Sequence, residues 1–256
     1  MADRRPRGGG RPRGGAGGDG PELDPERTVY GRHPVREAAR GRRKVLALHV
    51  SANAEADLAD VVADLRERGG CAITTGVDHG RLATLAGTDD HQGAVAEMEG
   101  FPYVSFEQLL DAARRRDEKP LVLCLDQVTD PHNLGAIARV ADASGATGIL
   151  VPEHRSARVT AAAVKASAGA LEHVLVARCT NLSNEIEAAK GGSLWSYAAT
   201  ERGTTDWTDA DLADGALLVL GAEGPGIRPR VEAACDVQVR IPMAGSVASL
   251  NVATVA

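Results

Sequence analysis

Two polar side chains interrupt a stretch of sequence that is otherwise typical of a helix against a core. Asn133 and Arg139 lie among Ala, Ile, Leu and Val residues. Asp130 suits the cap of this helix, Pro131 its first position and Gly145 the position after its end, so these three have structural explanations. An amide and a guanidinium remain unexplained. A mid-helix arginine is also typical of a solvated surface, so the helix alone assigns Arg139 no function.

A second loop turns on three glycines, which allow a backbone to approach a ligand closely. Gly221, Gly224 and Gly226 follow an apolar run. The loop has neither the GxGxxG spacing of a dinucleotide site nor the Lys-Ser/Thr pair of a P-loop. Its Glu223 carboxylate would repel a phosphate. The pattern therefore favours a cationic or hydroxyl-bearing ligand over a phosphate.

All the candidate loops follow short apolar runs that predict strands. Near-continuous apolar runs are typical of parallel strands covered on both faces, and ligands bind beyond the carboxyl ends of such strands. A third loop, from Ile241 to Asn251, again leads from a strand into a predicted helix. We therefore expect the three loops at one edge of a parallel sheet. The predicted strands are Leu121–Leu125, Ile149–Val151, Val174–Val176, Leu194–Ala198, Leu217–Leu220 and Val237–Ile241.

The preceding sequence predicts a separate, compact α/β domain over residues 29–100. Apolar residues recur at helical spacing from Leu58 to Leu65, and Gly69 ends that helix. A charged run closed by Pro120 predicts a linker at 101–119, before a second domain at 120–256. Further elements are predicted at Pro34–Ala39 (helix) and at Val45–Val50, Cys71–Thr74 and Ala94–Met98 (strands).

Charge is distributed unevenly along the chain. The 256 residues carry a net charge of −6, but the first 17 carry +4, which leaves −10 for the rest. The Arg/Gly-rich segment at 1–28 has few apolar side chains and is predicted to be a disordered tail. Such tails can add salt-sensitive attraction to RNA, although a solvated leader without a task explains the composition equally well. Any phosphate-binding surface in the acidic remainder must be local.

Composition excludes several classes of protein. Four scattered cysteines form no CxxC pair, so we expect reduced thiols, no disulfide framework and no metal site. No apolar run approaches the roughly eighteen residues of a membrane span, and no signal-peptide pattern opens the chain. We expect a soluble, cytoplasmic protein without a membrane partner.

The loops together resemble three motifs of one family. Asp130 to Gly135 with Arg139 matches DPxNxG...R, Gly221 to Gly226 matches GxEGxG, and the third loop reads IPM...SLN. In this order they resemble the SpoU branch of the SPOUT superfamily, the S-adenosylmethionine-dependent RNA 2′-O-ribose methyltransferases. Upstream, residues 30–35 (YGRHPV) and 91–93 (HQG) resemble the substrate-binding domain of members that methylate a guanosine in 23S rRNA.

The resemblance implies an α/β fold whose C-terminal parallel-sheet domain contains a trefoil knot, an exception to the rule against threaded loops. It also implies a small N-terminal α/β domain similar to RNA-binding ribosomal proteins. S-adenosyl-L-methionine would bind in the knot, mostly through main-chain groups, and a homodimer would complete the active sites. The matching cofactor positions are Thr200, Gly221, Ile241, Met243 and Leu250.

The same resemblance implies five catalytic positions. A guanidinium is a poor base at neutral pH, so we assign Arg139 to orienting a phosphate and stabilising the developing alkoxide. Asn133 and Ser249 would fix the nucleotide and Arg139. Glu223 and Asn251 would hold the loops and Arg139 in register.

Three other functions compete with this one. A transfer RNA 2′-O-methyltransferase would share the three motifs but generally lacks the N-terminal domain. A non-catalytic RNA-binding ribosome-assembly factor would be expected to have lost some of the polar motif residues, which are present. A nicotinamide dehydrogenase would need a dinucleotide fingerprint directly after a strand. No such fingerprint follows any of the predicted strands. The expected partner is therefore large-subunit rRNA or its assembly intermediate, and not DNA, because the acceptor is a 2′-hydroxyl.

The sequence departs from the family pattern at its C-terminus. The helix after the third motif usually runs for several turns, whereas here the chain stops at Ala256, five residues after Asn251. We expect either a truncated sequence or a short final helix. Closure of the knot and the dimer contact are the features that this departure affects.

Overall fold

The structure is a computed structural model that describes residues 22–190, 194–245 and 250–256. Most of the predicted tail, residues 1–21, lies outside the described residues. The end of that predicted tail is ordered, which corrects the boundary at 28. Thr28 is buried and pairs with Glu97 in a sheet, and the Arg27 side chain donates to the Met98 carbonyl. Strand pairing, which composition does not reveal, orders these residues.

The N-terminal part of the chain forms a four-stranded mixed sheet in the order β1-β4-β2-β3. Only β2 and β3 are parallel. The predicted helices and strands of this region are confirmed, but β1 and α3 were not predicted. The elements are β1 (Thr28–Tyr30), α1 (Arg32–Arg40), β2 (Val45–Val50), α2 (Ala59–Arg68), β3 (Ala72–Thr74), α3 (His79–Ala86) and β4 (Ala94–Met98).

The segment predicted as a linker, 101–119, contains a helix, α4 (Phe106–Arg115). Ser105 and Gln108 form a reciprocal capping box at its start, which satisfies backbone donors that a helix leaves unpaired. Phe106 and Leu109 are buried in the core of the following domain. The dense charge that suggested a linker lies on the exposed face and at the end of this helix. The segment predicted as a linker therefore contains a helix that packs on the following domain, and the domain boundary within 101–119 stays a prediction.

The C-terminal part forms a seven-stranded sheet in the order β7-β6-β5-β10-β8-β11-β9, and every strand pair is parallel. The six predicted strands are confirmed to within one or two residues at most ends, whereas the short β9 was not predicted. The strands are β5 (Leu121–Asp126), β6 (Gly148–Pro152), β7 (Leu175–Cys179), β8 (Trp195–Ala199), β9 (Thr205–Asp206), β10 (Ala216–Gly221) and β11 (Val237–Arg240). The helices are α5 (Pro131–Ser144), α6 (Ala161–Ala166), α7 (Leu182–Lys190), α8 (Pro229–Ala234) and α9 (Val252–Val255).

Burial explains why the apolar runs predicted this sheet correctly. All of β6 and nearly all of β5 are buried, as expected for parallel strands with helices on both faces. Gly135 of α5 shows how closely the covering helices pack. A Cβ there would lie 2.5 Å from the Ala163 carbonyl oxygen and 2.6 Å from the Ala166 side chain. This glycine of the first motif is thus required for contact between α5 and α6.

The two sheets belong to one packed structure, because a single hydrophobic cluster contains side chains from both. Arg43, from the segment between α1 and β2, lies against Glu172 of the C-terminal part. Its Nε donates to Glu172 Oε2 at 2.9 Å, a second nitrogen contacts Oε1, and the two side chains are 2% and 0% exposed. Arg42 donates to the Val174 carbonyl at 2.6 Å. These contacts fix how the smaller sheet lies on the larger one.

The trefoil knot remains a prediction from the resemblance. Part of the third loop, residues 246–249, lies outside the described residues, and so does the candidate Ser249. Among the described residues, no helix has both the length and the apolar character needed to cross a bilayer.

The buried ion pair predicts a large effect on stability. Glu172→Ala would leave the Arg43 guanidinium buried without its counter-charge, which costs about 3–5 kcal/mol in comparable cases. Glu118→Ala removes a carboxylate from the exposed pair with Arg116 and should cost less than about 1 kcal/mol. Urea unfolding of both variants measures the difference. Equal stabilities would contradict the assigned role of the buried pair.

Candidate active site

The candidate loops do gather at one edge of the parallel sheet. Asp126, the last residue of β5, is the register partner of Gly221, the last residue of β10. The first loop continues from Asp126 into α5, and the second begins at Gly221. The ends of β8 and β11 follow on the other side of β10. The sheet therefore places the carboxyl ends of these strands side by side, as the apolar runs predicted.

A small hydrogen-bonded cluster joins one side chain from each of the three motifs. Asn133 Nδ2 donates to Glu223 Oε1 at 2.9 Å, and Asn251 Nδ2 donates to the same oxygen at 2.6 Å. Asn251 Nδ2 also lies 3.1 Å from Asn133 Oδ1. We call these three residues the amide–carboxylate junction. It links side chains 90 and 118 residues apart in sequence.

Local structure holds each member of the junction in place. Asp130 caps α5 by accepting a hydrogen bond from the His132 amide at 2.8 Å, and Asn133 lies in the first turn of that helix. Asn251 caps α9, because its Oδ1 accepts from the Ala253 amide at 2.8 Å. Both of its side-chain groups are therefore used, one in the cap and one in the junction. The capping prediction for Asp130 is confirmed.

Close packing within the glycine loop requires a glycine at Gly221, which the sequence did not reveal. A Cβ at this position would lie 2.2 Å from the carbonyl carbon of Gly226 and 2.3 Å from the Ile227 nitrogen. The loop closes through a hydrogen bond from the Gly226 amide to the Ala222 carbonyl at 2.9 Å. Any side chain at Gly221 would therefore displace the loop that carries Glu223. Its direct contact with a cofactor remains a prediction.

Arg139 is exposed and borders a cavity of about 770 Å³ that is also lined by Asn251 and Thr254. Within the described part of the chain, it has no hydrogen bond or ion pair. No side chain of the junction is hydrogen-bonded to Arg139, and the role of Glu223 and Asn251 in holding Arg139 in register stays a prediction. Any influence of Glu223 on this guanidinium acts through α5 and α9.

The predicted cofactor residues lie at neighbouring strand ends. Thr200 follows β8, Gly221 ends β10 and Ile241 follows β11. Met243 and Leu250 are 39% and 37% exposed, so both present apolar surface. Residues 242–245 make no backbone hydrogen bond to another described residue. This edge thus offers main-chain polar groups beside apolar side chains.

An ion pair that the sequence did not reveal lies at the same edge. Asp126 is fully buried, and it accepts from the Arg228 amide and from Arg228 Nε, each at 2.8 Å. The available signal was an acidic residue that ends an otherwise apolar strand. Such a carboxylate needs a partner, because an unpaired buried charge is costly.

Burial raises the pKa of Cys179 and of Cys235 to about 12, and it also raises the pKa of Cys124, so these thiols stay protonated at neutral pH. No cluster of His, Cys, Asp or Glu among the described residues has the arrangement of a metal site.

Comparison with known proteins identifies the family. A family model described as the SpoU rRNA methylase family matches residues 120–256. A second model, for the substrate-binding domain of RNA 2′-O-ribose methyltransferases, matches residues 28–104. This chain belongs to the SpoU rRNA methylase family. It is an RNA methyltransferase of that family, and the resemblance seen in the motifs is confirmed.

Individual relatives of this SpoU-family protein agree. YacO of Bacillus subtilis, assigned to the TrmH family of tRNA/rRNA methyltransferases, is 37% identical over 89% of this chain and 91% of its own length. The 23S rRNA (guanosine-2′-O-)-methyltransferase RlmB of a Burkholderia species is 42% identical over 86% of this chain and 80% of its own length.

Solved structures show the same fold. The SpoU methyltransferase AviRb of Streptomyces viridochromogenes, crystallised with AdoMet, is 27% identical and has a TM-score of 0.74 over 89% of this chain and 84% of its own. An AdoMet-bound rRNA methyltransferase of Sinorhizobium meliloti is 26% identical, with a TM-score of 0.71 over 89% and 82% of the two chains. The α/β fold with a parallel sheet and an N-terminal substrate-binding domain is confirmed.

The junction predicts how this SpoU-family enzyme responds to changes at Glu223. Glu223→Ala removes the acceptor shared by two amides, so α9 and the glycine loop should separate and methyl transfer should fall at least about tenfold. Glu223→Gln retains a carbonyl oxygen that can accept from both amides, and it should retain most of the activity. Initial rates of methyl transfer to RNA measure both effects. Equal losses in the two variants would show that charge, and not the shared acceptor, matters.

Proposed function

We propose that this chain transfers the methyl group of S-adenosyl-L-methionine to the 2′-oxygen of a guanosine in 23S rRNA or in its assembly intermediate. The observation that supports this most directly is the amide–carboxylate junction, since it joins the three family motifs beside the Arg139 cavity. The 42% identity to RlmB supports the guanosine and the 23S rRNA.

The strand ends around β10 suit the proposed cofactor. Main-chain groups at 242–245, which bond to no other described backbone group, can bind the polar parts of an adenosyl group, and the exposed Met243 and Leu250 can cover its apolar faces. Thr200, Gly221 and Ile241 would contribute through their main chain. When bound, the cofactor supplies a methyl group on a cationic sulfur. The protein then has to orient a ribose hydroxyl towards that carbon.

Arg139 is the group proposed to act on the acceptor oxygen. A guanidinium remains protonated at neutral pH, so it serves as a cation and not as a base. Next to the 2′-oxygen it would stabilise the developing negative charge and orient the adjacent phosphate. Arg139 has no hydrogen-bond or ion-pair partner among the described residues, so its donors are available for this role. The 2′-hydroxyl would lose its proton to a phosphate oxygen or to water, and transfer of the methyl group would leave S-adenosyl-L-homocysteine as the second product.

Asn133 has a more limited role than the motif suggested. Its Nδ2 donates to Glu223 and its Oδ1 lies within hydrogen-bond distance of Asn251, so a single amide hydrogen remains for a nucleotide. We propose that Asn133 and Asn251 mainly position loops. Ser249 keeps its proposed contact with the nucleotide as a prediction from the motif.

We assign a different function to each of the two sheets. We propose that residues 29–100 select the RNA and that the part from Pro120 onward carries the cofactor and the chemistry. We also propose a homodimer that completes the two active sites. A transfer RNA substrate is the second candidate, since YacO and similar relatives are assigned to a family that acts on tRNA or rRNA.

The substrate can be identified by mapping 2′-O-methyl groups in ribosomal and transfer RNA from cells with and without the gene. We expect one guanosine of 23S rRNA to lose its methyl group in the deletion strain and to regain it when the gene is restored. Loss of a methyl group from a transfer RNA would instead support the second candidate. Unchanged maps of both RNAs would contradict the proposed function.

The proposed role of Arg139 predicts a loss of rate without a loss of cofactor. Arg139→Ala should lower kcat by about 10²–10³, as removal of a transition-state donor does elsewhere, with cofactor affinity nearly unchanged. Methyl transfer and cofactor calorimetry on the same preparation measure the two effects. Arg115→Ala, on the exposed last turn of α4, is the control and should change neither. An active Arg139→Ala variant would remove this residue from the mechanism.

A further inference from the structure

A second cavity lies at the carboxyl edge of the sheet, on the side of β5 away from β8 and β11. Its volume is about 270 Å³, and it is bordered by the segments that follow β6 and β7 and by the start of α8. This volume is below the roughly 300–1,000 Å³ of typical small-molecule sites, so the cavity suits a small group and not a second cofactor.

Basic side chains converge on this cavity. Arg155, Arg228 and Arg230 line it together with His154. Neither Arg155 nor Arg230 has an ion pair or hydrogen bond with another residue in the described part of the chain. In a chain with a net charge of −6, arginines without acidic partners are not explained by composition. Their mutual repulsion falls when an anion binds between them.

Arg228 is rigidly held at the edge of the cavity. The fully buried Asp126 accepts from its backbone amide and from Nε, both at 2.8 Å, and from a second guanidinium nitrogen at 2.7 Å. These bonds use one side of the guanidinium, whose side chain is still 41% exposed. The opposite side remains able to donate. A guanidinium fixed in this way loses little entropy when it binds a further acceptor.

Arg155 is presented by an unusual backbone conformation. Its φ angle is 59°, which is uncommon for a residue with a side chain. The Ser156 hydroxyl donates to the Pro152 carbonyl and closes the turn around it. The acidic groups nearby are Asp126, which is committed to Arg228, Glu153, whose carboxylate lies 3.4 Å from the Thr180 hydroxyl, and Glu185. None of these carboxylates lines the cavity, whereas the three guanidinium groups do, so the charged groups of the lining are positive.

The cavity is connected to the proposed methyl-transfer site through one loop. Gly221 is beside Asp126 in the sheet, and the chain from Gly221 carries first Glu223 and then Arg228 and Arg230. An RNA strand lying over this edge would therefore meet the junction and the arginine cavity in succession. Planar guanidinium groups bind phosphate oxygens in pairs, and this favours a phosphodiester as the ligand.

We propose that the cavity lined by Arg155, Arg228 and Arg230 binds a backbone phosphate of the substrate RNA near the methylated nucleotide. This inference rests on the proposed function, because it assumes that RNA occupies the carboxyl edge. It assigns the arginines to RNA positioning and not to chemistry. The phosphate contact would set which nucleotide reaches Arg139.

The test compares Arg155→Gln and Arg230→Gln with the control Arg115→Gln, which removes an exposed arginine without a partner among the described residues. Binding of a fluorescein-labelled single-stranded 23S rRNA fragment is measured by anisotropy across a salt series. Each cavity variant should lower the slope of log affinity against log salt by about 0.7, and the double variant should lower it twice as much. Cofactor calorimetry and melting temperature should not change, and the control should keep the wild-type slope.

Each outcome separates this inference from the proposed function. Wild-type slopes in both cavity variants, or an equal loss in Arg115→Gln, would overturn the phosphate site while leaving the methyltransferase function intact. Arg155-dependent heat with inorganic phosphate, combined with an unchanged RNA slope, would show a free-anion site and also overturn it. A wild-type protein that does not bind RNA would overturn both proposals.

Discussion

The shared oxygen of Glu223 is the constraint on which the active edge depends. It accepts from Asn133 and Asn251, and no other contact described in the structure joins side chains of all three motifs. Each loop leads from the end of a parallel strand into a helix. One carboxylate oxygen with two amide donors joins the three loops. The Arg139 cavity borders Asn251, so its shape depends on the same contact.

The parallel sheet places the sites proposed for two different ligands at one edge. Strand ends on one side of β10 carry the residues proposed for the cofactor, and strand ends beyond β5 carry the arginine cavity. The loop from Gly221 to Arg230 spans both regions. The smaller sheet is held against this body by the buried Arg43–Glu172 pair, which gives a proposed RNA-selecting surface a fixed position relative to the chemistry.

The sequence predicts an element correctly where burial of that element determines which residue types it contains. The strands of the large sheet were predictable because both of their faces are buried, so almost every residue is apolar. The prediction failed at α4, whose exposed charges concealed a buried face that includes Phe106 and Leu109. The motif order indicated which loops carry function, but not that Asn133 would be used by the junction while Arg139 stays separate. The Asp126–Arg228 pair joins residues 102 apart in sequence, and no local pattern encodes that contact.

The most direct test of the account follows the transferred methyl group to its acceptor atom. Unmodified 23S rRNA is incubated with the purified protein and S-adenosyl-L-methionine that carries a deuterated methyl group, and the digested nucleosides are analysed by mass spectrometry. We expect the label to appear in 2′-O-methylguanosine. Label on a nucleobase, or no labelled nucleoside with a folded protein that binds the cofactor, would contradict ribose methylation as the function of this site.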